Sequence, residues 1–594
     1  MPAPRSAAVL LFLLLGCAAP GLVLEAPAPE AAATTADASQ PESSAPAPSA
    51  ERLDAYLSRL ETLGFSGAVI VDHEGEVVLR KGYGLADRES RRPYTPETVQ
   101  THGSITKQVT AAAILLLESR GELSVDDLLG EHFDAVPADK RGITLHHLLT
   151  HTAGFPGGIG PDRQPIGADA FVELALAAPL EVEPGAEFRY SNVGYSLLGI
   201  VVERVSGRGY EELVREELLL PAGLAETGYL LPTLDERRLA VGYDGGERWG
   251  RVHGRGWRED GPGWNLRANG GLHTTVDDMR RWLAVLRGEG PLPAAAVERW
   301  TTGHVDTGDE SFRYGYGWMV AETELGRAVA HNGGNGVFSA FFVWLPETEL
   351  FLYIHGNSSL FYPADMLDSL LGALFDSGFE LPPAVAAEED VEPARAAARE
   401  GEYRVEGGRL TLTADDVRLL AAVSGQPVLD AVLGHDPARR ERFAGLNAKA
   451  AEAMRRLRAG REDAFAGLVG EGEDAVAPAR RMLARIQSRG ELRSLELVGS
   501  VANVPGTRFA DDGPWTTFFR AEHGGETYTW SVLWREDGSY RGTAIGPPTD
   551  VPGFILVPAG DAACAGVERE PPWRRADFRF EHGCLLVGGL TACR

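Results

Sequence analysis

A serine and a lysine three residues apart are the residues of this chain best suited to chemistry. They lie in the segment Ser104-Ile105-Thr106-Lys107, in a chain that holds 57 lysine and arginine residues but uses lysine only at Lys81, Lys107, Lys140 and Lys449. A buried ammonium can lose its proton, whereas a guanidinium keeps its proton near neutral pH. Lys107 could therefore accept the hydroxyl proton of Ser104, although this spacing also arises by chance.

The chain from Ser104 to Arg120 reads as a buried helix, because it is strongly apolar and stops at Gly121. Residues three apart lie on one face of a helix, so the Lys107 amine can reach the hydroxyl of Ser104. Backbone N–H groups at a helix start also stabilise negative charge. The pattern predicts a serine nucleophile with a base beside it.

Two later segments could complete such a site. Tyr190-Ser191-Asn192 precedes a predicted helix, and His331-Asn332-Gly333-Gly334 ends an apolar predicted strand. The Tyr190 phenol can relay a proton, and the Asn192 amide can hold Lys107 or a substrate carbonyl. The glycines let a substrate lie against the strand, so that the N–H of Gly334 can donate to an oxyanion. Each segment alone is also typical of ordinary packing or of a turn.

In this order and on these elements, the three segments resemble the active-site motifs of serine β-lactamase-related proteins. That family includes class C β-lactamases, D-alanyl-D-alanine carboxypeptidases, D-aminopeptidases and β-lactamase-like esterases. The surrounding segments that share the resemblance are Leu148-Leu149-Thr150-His151-Thr152-Ala153-Gly154, Ala268-Asn269-Gly270-Gly271-Leu272 and Tyr316-Gly317-Trp318. The resemblance covers residues 51–380 and implies an α+β fold, with an antiparallel sheet flanked by helices and a helical subdomain.

The resemblance also implies roles for the candidate site residues. Ser104 would be the acylated nucleophile, Lys107 and Tyr190 the acid/base pair, and Asn192 the orienting residue. The backbone N–H groups of Ser104 and Gly334 would form the oxyanion hole, and Gly333 and Gly334 would bind the substrate. No metal or organic cofactor is required.

His331 departs from the lysine that usually opens the third motif in class C β-lactamases and the peptidases. Histidine is mostly neutral at pH 7, so we expect weaker capture of a substrate carboxylate than a lysine would give. The change resembles the esterase and D-aminopeptidase branches, which ranks ester or amide hydrolysis above β-lactam hydrolysis. Alternatively, His331 could assist proton transfer and count among the catalytic residues.

Two further interpretations remain open from the sequence. The segment Tyr243 to Trp264, which contains Trp249 and Trp257, could wall the substrate cleft or could be a surface insertion. The whole chain could also be a non-catalytic envelope protein that uses this scaffold to bind peptidoglycan fragments or protein partners. As an enzyme, it would act on a small-molecule or peptide ester or amide; its oligomeric state is not predicted.

The net charge of the chain restricts its partners, and its N-terminal residues indicate where the protein is located. A net charge of −28 excludes nucleic acid and disfavours anionic lipid surfaces as partners. Residues 1–17 read as an export signal, and Leu14-Leu15-Gly16-Cys17 resembles a lipobox in which Cys17 would be lipidated. Residues 18–50 form a predicted disordered tether. We expect an exported lipoprotein on the periplasmic or cell-envelope side, with plain secretion and loss of Cys17 as the alternative.

The remaining chain divides by composition. Residues 51–380 are predicted to form the hydrolase domain, with a helix at Glu51 to Leu63, a hairpin after it, and strands that return from Gly315 onward. Residues 381–399 form a linker rich in proline, alanine and glutamate. Residues 400–594 form an accessory α+β domain of unknown role. An oxidising compartment permits one disulfide among Cys564, Cys584 and Cys593, in any of three pairings.

Overall fold

The structure is a computed structural model. It describes residues 47–594 except 309–310, 324, 386–392, 417, 470–475, 489–490, 504–513, 524–525, 547–552, 559–562, 569–574 and 583. One compact unit holds Phe65–Ser377 with the described residues up to Leu57, and the other holds Ser58–Gly64 and Gly378–Arg594. The predicted export signal, including Cys17, lies outside the described residues. Within the described part of the chain, no helix is long and apolar enough to cross a membrane.

The first unit is built on an antiparallel sheet of eight strands in the order β2-β1-β14-β13-β12-β11-β10-β9. The strands of this unit are β1 Gly67–His73, β2 Glu76–Tyr83, β3 Leu85–Asp87, β4 Arg92–Pro93, β5 Gln100–Thr101, β6 Gly242–Asp244, β7 Glu247–Gly250, β8 His273–Thr274, β9 Val305–Asp306, β10 Arg313–Tyr314, β11 Met319–Thr323, β12 Gly326–Asn335, β13 Phe338–Leu345 and β14 Leu350–Gly356. The predicted hairpin after the first helix is β1–β2, and it joins the returning strands through β14.

Helices pack around this sheet and form a helical region between β5 and β9. They are α1 Ala50–Leu63, which the two units share because its residues from Ser58 onward belong to the other unit, α2 Thr106–Ser119, α3 Leu129–His132, α4 Leu145–Leu149, α5 Ala168–Ala177, α6 Asn192–Ser206, α7 Tyr210–Val214, α8 Arg267–Gly270, α9 Val276–Leu286, α10 Ala294–Trp300 and α11 Leu367–Phe375. Most of α2 is buried, as its apolar sequence predicts. The predicted α+β class, an antiparallel sheet with flanking helices and a helical subdomain, is confirmed.

A row of aromatic rings ties the helices to the sheet. Trp282 of α9 meets Trp300 of α10 edge to face at 5.4 Å, and Trp300 meets Trp318 at the same distance. Trp318 in turn lies 5.3 Å from Phe342 of β13. Such ring pairs add to the stability that burial alone provides. The row therefore fixes the helices that flank α2 against the sheet.

One predicted strand begins later than expected. The sequence predicts a strand from Gly315, but β11 begins at Met319, because Gly315 and Trp318 close a turn through a 2.7 Å hydrogen bond. Gly317 in this turn has φ +79°, and a Cβ there would lie 2.9 Å from the Lys107 carbonyl. The turn therefore brings the chain against the backbone of α2, which a continuous strand could not do.

The end of β12 projects past its neighbour. Strand β11 pairs with β12 only as far as Ala330, whereas β13 pairs with β12 through Asn335. His331 to Asn335 thus have a strand partner on one side only. We call this the exposed edge of β12 because it lacks a strand partner, although most of its residues are buried against the turn that precedes α2.

The second unit contains a closed barrel and a separate sheet. Its helices are α12 Pro393–Ala397, α13 Gln426–Val432, α14 Pro437–Arg458 and α15 Val476–Ser488, and its strands are β15 Gly401–Val405, β16 Gly408–Asp415, β17 Arg418–Ser424, β18 Leu492–Ala502, β19 Trp515–His523, β20 Glu526–Trp534, β21 Tyr540–Gly546, β22 Gly553–Pro558, β23 Ala563–Glu568, β24 Arg575–Glu581, β25 Cys584–Val587 and β26 Leu590–Cys593. Strands β15–β17 and β22–β26 close the barrel, and β18–β21 form the sheet on which α14 packs.

The barrel itself was not predicted, because the sequence indicated only an accessory α+β domain over residues 400–594. Of the three cysteine pairings that the sequence allows, the structure has Cys584 joined to Cys593, which face each other across β25 and β26. Cys564 is a buried thiol.

Candidate active site

Ser104 stands on a single 3-10 turn, Gly103–Ile105, that leads directly into α2. The turn touches the exposed edge of β12 through glycines on both sides. Gly103 has φ +57°, and a Cβ there would lie 2.5 Å from the backbone nitrogen of Gly334. A Cβ on Gly333 would lie 1.9 Å from the carbonyl oxygen of His102. Only glycine at these two positions lets the strand lie this close to Ser104.

Lys107 is fully buried, and its Nζ lies within hydrogen-bond distance of three oxygen atoms. These are the Ser104 Oγ at 3.0 Å, the Asn192 Oδ1 at 2.8 Å and the Asn269 carbonyl oxygen at 2.8 Å. The structure thus joins the first and second predicted motifs at one amine. Asn269 belongs to α8 and was not predicted as a site residue, although its segment carries part of the family resemblance.

Hydrogen bonds to the loop at Pro156 and Gly157 fix the position of the second motif. Asn192 opens α6, and its backbone N–H donates to the Gly157 carbonyl at 2.9 Å. The Ser191 hydroxyl donates to the Pro156 carbonyl at 2.7 Å. The Tyr190 ring centre lies 4.9 Å from the Nζ of Lys107. All four polar candidates of the first two motifs therefore lie around one point: the Ser104 hydroxyl, the Lys107 amine, the Asn192 amide and the Tyr190 ring.

His331 is fully buried, and both of its ring nitrogens are engaged within the protein. Its Nε2 lies 3.0 Å from the Tyr314 hydroxyl, and its Nδ1 lies 2.5 Å from the Asn332 carbonyl oxygen. Burial, assisted by the positive charge of Lys107, lowers the pKa of His331 to about 3. The ring is therefore neutral at pH 7, as expected from the sequence, and the structure gives the physical cause.

A chain of hydrogen bonds sets the tautomer of His331. The Ser191 backbone N–H donates to the His151 Nδ1 at 3.1 Å, so the proton of a neutral His151 resides on Nε2. That Nε2 lies 3.2 Å from the Tyr314 hydroxyl and donates to it. The Tyr314 hydroxyl is then left to donate to the His331 Nε2, and the His331 proton resides on Nδ1. The second and third motifs are thus connected through His151 and Tyr314.

His151 is the centre of this connection and was missed as a site residue. It is buried, has φ +58°, and its ring centre lies 4.2 Å from that of Tyr190 and 4.7 Å from that of Tyr314. Burial, with smaller contributions from Lys107 and His331, holds its pKa well below the usual histidine value. A positive φ on a residue other than glycine is often found at functional sites. The sequence signal was its place in the segment Leu148 to Gly154.

The cleft beside Gly334 is bounded by residues from other segments. Gly334 is exposed, and a Cβ there would make only ordinary van der Waals contact, with the Tyr362 hydroxyl nearest at 3.6 Å. Tyr362 was not predicted. Of the tryptophan segment, Trp264 is buried in the core, whereas Trp249 lies against Gly336 next to the exposed edge of β12. Trp249 is thus the tryptophan of this segment that lies beside the third motif.

The two glycines of the third motif should differ in their tolerance of a methyl group. Gly333→Ala should lower the free energy of unfolding by at least about 1–3 kcal/mol, because its Cβ would overlap the His102 carbonyl. Gly334→Ala should leave stability nearly unchanged, because its Cβ has room. Urea unfolding followed by tryptophan fluorescence measures both. Equal stability losses in the two variants would contradict the close contact.

The contribution of the Tyr314 hydrogen bonds to stability can be measured by comparison with Tyr353, a buried tyrosine whose hydroxyl has no described hydrogen-bond partner. Tyr314→Phe leaves the Nε2 of His331 buried without its donor and should lower the free energy of unfolding by about 1–3 kcal/mol. In the same sheet, the buried Tyr353 hydroxyl has no described hydrogen-bond partner, so Tyr353→Phe should be nearly neutral. The same urea titration compares them, and a neutral Tyr314→Phe would argue against the chain through His151.

Comparison with known proteins places this site in a family. The chain is 26% identical to penicillin-binding protein 4* of Bacillus subtilis (strain 168) over 411 residues, which are 62% of this chain and 86% of that protein. It is 34% identical to Esterase EstB of Burkholderia gladioli over 220 residues, which are 33% of this chain and 55% of that protein. A solved penicillin binding protein from Bacillus halodurans has 29% identity and a TM-score of 0.43, and the match covers 51% of this chain and 95% of that one.

A family model described as Beta-lactamase matches residues 53–374, which contain every residue of the site described above. Because this match spans more than half of the chain, the protein belongs to the beta-lactamase family of serine hydrolases.

Proposed function

We propose that the protein hydrolyses esters or amides through an acyl-enzyme formed on Ser104. The observation that carries this proposal is the set of three oxygen atoms around the buried Nζ of Lys107. As an ammonium, Lys107 can donate to all three oxygens, whereas the neutral amine that the reaction requires has two N–H donors and one lone pair. The oxygens of Asn192 and Asn269 can only accept, so they take both N–H groups. The lone pair is then directed at the remaining neighbour, the hydroxyl of Ser104.

This geometry supports a proton path for both halves of the reaction. Ser104 Oγ attacks the substrate carbonyl as its proton passes to Lys107. The leaving group then takes a proton from Lys107, directly or by way of Tyr190, and departs. Water attacks the acyl-enzyme in the second half, with the same groups acting in reverse, and releases the acid and Ser104.

The backbone contact between the Ser104 turn and β12 supports an oxyanion hole. The N–H groups of Ser104 and Gly334 come from two segments that only glycine can bring into contact. In our proposal they donate to the substrate oxygen as it gains charge, and Gly333 and Gly334 let the substrate reach them. Removing one such donor typically slows an enzyme by about 10²–10³-fold.

The environment of His331 supports the ranking of substrates. A lysine at this position would present a fixed charge to a substrate carboxylate, but His331 is neutral and its nitrogens are already bound to Tyr314 and Asn332. For the same reason we assign His331 a positioning role rather than proton transfer. The name of the Burkholderia gladioli relative, an esterase, agrees with ester hydrolysis. We therefore rank esters and amides above β-lactams.

We also propose that residues 1–17 direct export and that lipidation of Cys17 anchors the enzyme on the periplasmic or cell-envelope side. A short positively charged start, an apolar run and the lipobox-like end support this assignment.

Parallel kinetics test the substrate class. A short-chain nitrophenyl ester should be hydrolysed with a kcat/KM at least about tenfold above that of a chromogenic cephalosporin, because no cation replaces the lysine at position 331. Ser104→Ala should abolish the ester reaction, and Lys107→Arg should nearly do so, since a guanidinium cannot accept the proton. A faster cephalosporin reaction would contradict the ranking, and ester hydrolysis that survives in Ser104→Ala would contradict the mechanism.

A further inference from the structure

We infer that Arg163 and Arg255 form a subsite for a carboxylate carried by the substrate, at the outer end of the cleft. The inference rests on the proposed function and narrows its substrate to esters or amides with a negative charge. The two guanidinium groups lie over one indole: their central carbons are 4.2 Å (Arg163) and 5.0 Å (Arg255) from the ring centre of Trp249. Both arginines are exposed to solvent.

The two cations are close together and form no salt bridge with a described residue, although the neighbouring Asp162 acts electrostatically on Arg163. Within the part of the chain that the structure describes, no carboxylate lies within salt-bridge distance of Arg163 or Arg255. By contrast, Arg251 and Arg258 in the same segment pair with Glu236 at 3.5 Å and Asp260 at 3.1 Å. Acidic residues outnumber basic ones by 85 to 57 in this chain, yet none of the described carboxylates forms a salt bridge with this pair. Planar guanidinium groups bind carboxylates well, because they can form paired hydrogen bonds.

The loops that carry the two arginines are packed together, and the side chain of Arg255 is anchored by a hydrogen bond. Arg255 donates a hydrogen bond to the Trp249 carbonyl at 2.9 Å. The backbone of Arg163 lies so close to Gly256 that a Cβ there would approach the Arg163 carbonyl to 2.3 Å. Gly256 also has φ +70°. The two loops therefore pack against each other by backbone contact, which keeps the like charges together.

Contacts on both sides place this pair at the cleft. The Trp249 ring packs on Gly336, where a Cβ would lie 2.1 Å from it, and Gly336 is two residues beyond Gly334 on the chain. Gly336 lies in the turn between β12 and β13 with φ +67°, so it is at most roughly 7 Å from Gly334. The loop that carries Arg163 begins at Pro156 and Gly157, which accept the hydrogen bonds of Ser191 and Asn192 described above. A substrate that extends from Ser104 past Gly334 would thus reach the arginines.

A carboxyl group near the two arginines, that of Asp162, would favour a cationic substrate instead. Asp162 precedes Arg163, and desolvation raises the pKa of its carboxyl, an effect that the positive charges of Lys107 and Arg163 offset only in part. An ammonium-bearing substrate could pair with this carboxylate. We favour the carboxylate ligand because two held cations outweigh one acid. The experiment therefore includes a cationic substrate.

The test compares substrates of similar chain length that differ in the charge of the terminal group. Mono-nitrophenyl suberate carries a carboxylate on the acyl chain, nitrophenyl octanoate is neutral, and the nitrophenyl ester of 8-aminooctanoic acid is cationic. A second pair, the thioacetates of 6-mercaptohexanoate and of hexanethiol, compares a leaving group that carries a carboxylate with a neutral one. At low salt, wild-type kcat/KM should favour the carboxylate member of at least one pair by about tenfold. Arg163→Gln and Arg255→Gln should each remove most of this preference without changing the rate on the neutral substrate.

Arg204→Gln is the matched control. Arg204 also lies over an aromatic ring, 4.7 Å from the centre of Phe133, but in the last turn of α6, far from Asn192 at its start. The control removes the same charge and should keep the preference. The inference is overturned if neither substrate pair shows a carboxylate preference, or if the preference survives in both arginine variants. A preference for the cationic ester that Asp162→Asn removes would also overturn it.

Binding separates this inference from the proposed hydrolysis. Calorimetry with Ser104→Ala and mono-nitrophenyl suberate measures the subsite without turnover, and Arg163→Gln in that background should weaken binding by about tenfold. If wild-type protein fails to hydrolyse even the neutral ester, the proposed function fails, while the calorimetry still supports or overturns the arginine subsite.

Discussion

The buried Lys107 amine is the group on which the rest of the site depends. A charge taken out of water is costly unless hydrogen bonds replace those of water. Here the replacements come from Ser104, Asn192 and Asn269, which belong to segments far apart in the sequence. The turn before α2, the start of α6 and the short helix α8 must therefore meet at one point. The same three oxygens also direct the lone pair of the neutral amine at Ser104, because the oxygens of Asn192 and Asn269 can only accept hydrogen bonds.

A second constraint acts on the backbone. The turn that holds Ser104 and the exposed edge of β12 touch where Gly103 meets Gly334 and where Gly333 meets the carbonyl of His102. On the other side, the hydrogen bonds from Ser191 through His151 and Tyr314 to His331 fix the same strand relative to α6. The strand is thus held from both sides, and a substrate would enter between these two supports. Neutral His331 is part of this support and offers no charge to a substrate. In our inference the positive charge that meets the substrate lies farther out, on Arg163 and Arg255.

Local patterns in the sequence were sufficient for the parts of the site that depend on neighbours in the chain. The spacing of Ser104 and Lys107, together with the apolar run after them, predicts α2 and its buried amine. Residues whose role depends on distant partners were not predictable in this way. His151 and Tyr314 read as ordinary residues until the fold places them between Ser191 and His331, and Asn269 contributes only its backbone oxygen. The turn at Gly317 was read as strand because its cause is the backbone of α2, far away in sequence. In the second unit, short alternating strands do not specify whether a sheet closes, so the barrel and the pairing of Cys584 with Cys593 emerged only from the structure.

Covalent labelling tests most directly whether Ser104 and Lys107 work as one unit. The intact protein is treated with a fluorophosphonate, digested, and read by peptide mass spectrometry, with circular dichroism to check that each variant is folded. We predict a single adduct on Ser104 in the wild-type protein, and almost none in folded Lys107→Arg, because that side chain cannot take the hydroxyl proton. Absence of any adduct on folded wild-type protein would contradict the account and favour a binding scaffold. Labelling of Ser104 at an equal rate in Lys107→Arg would show that Lys107 does not activate it.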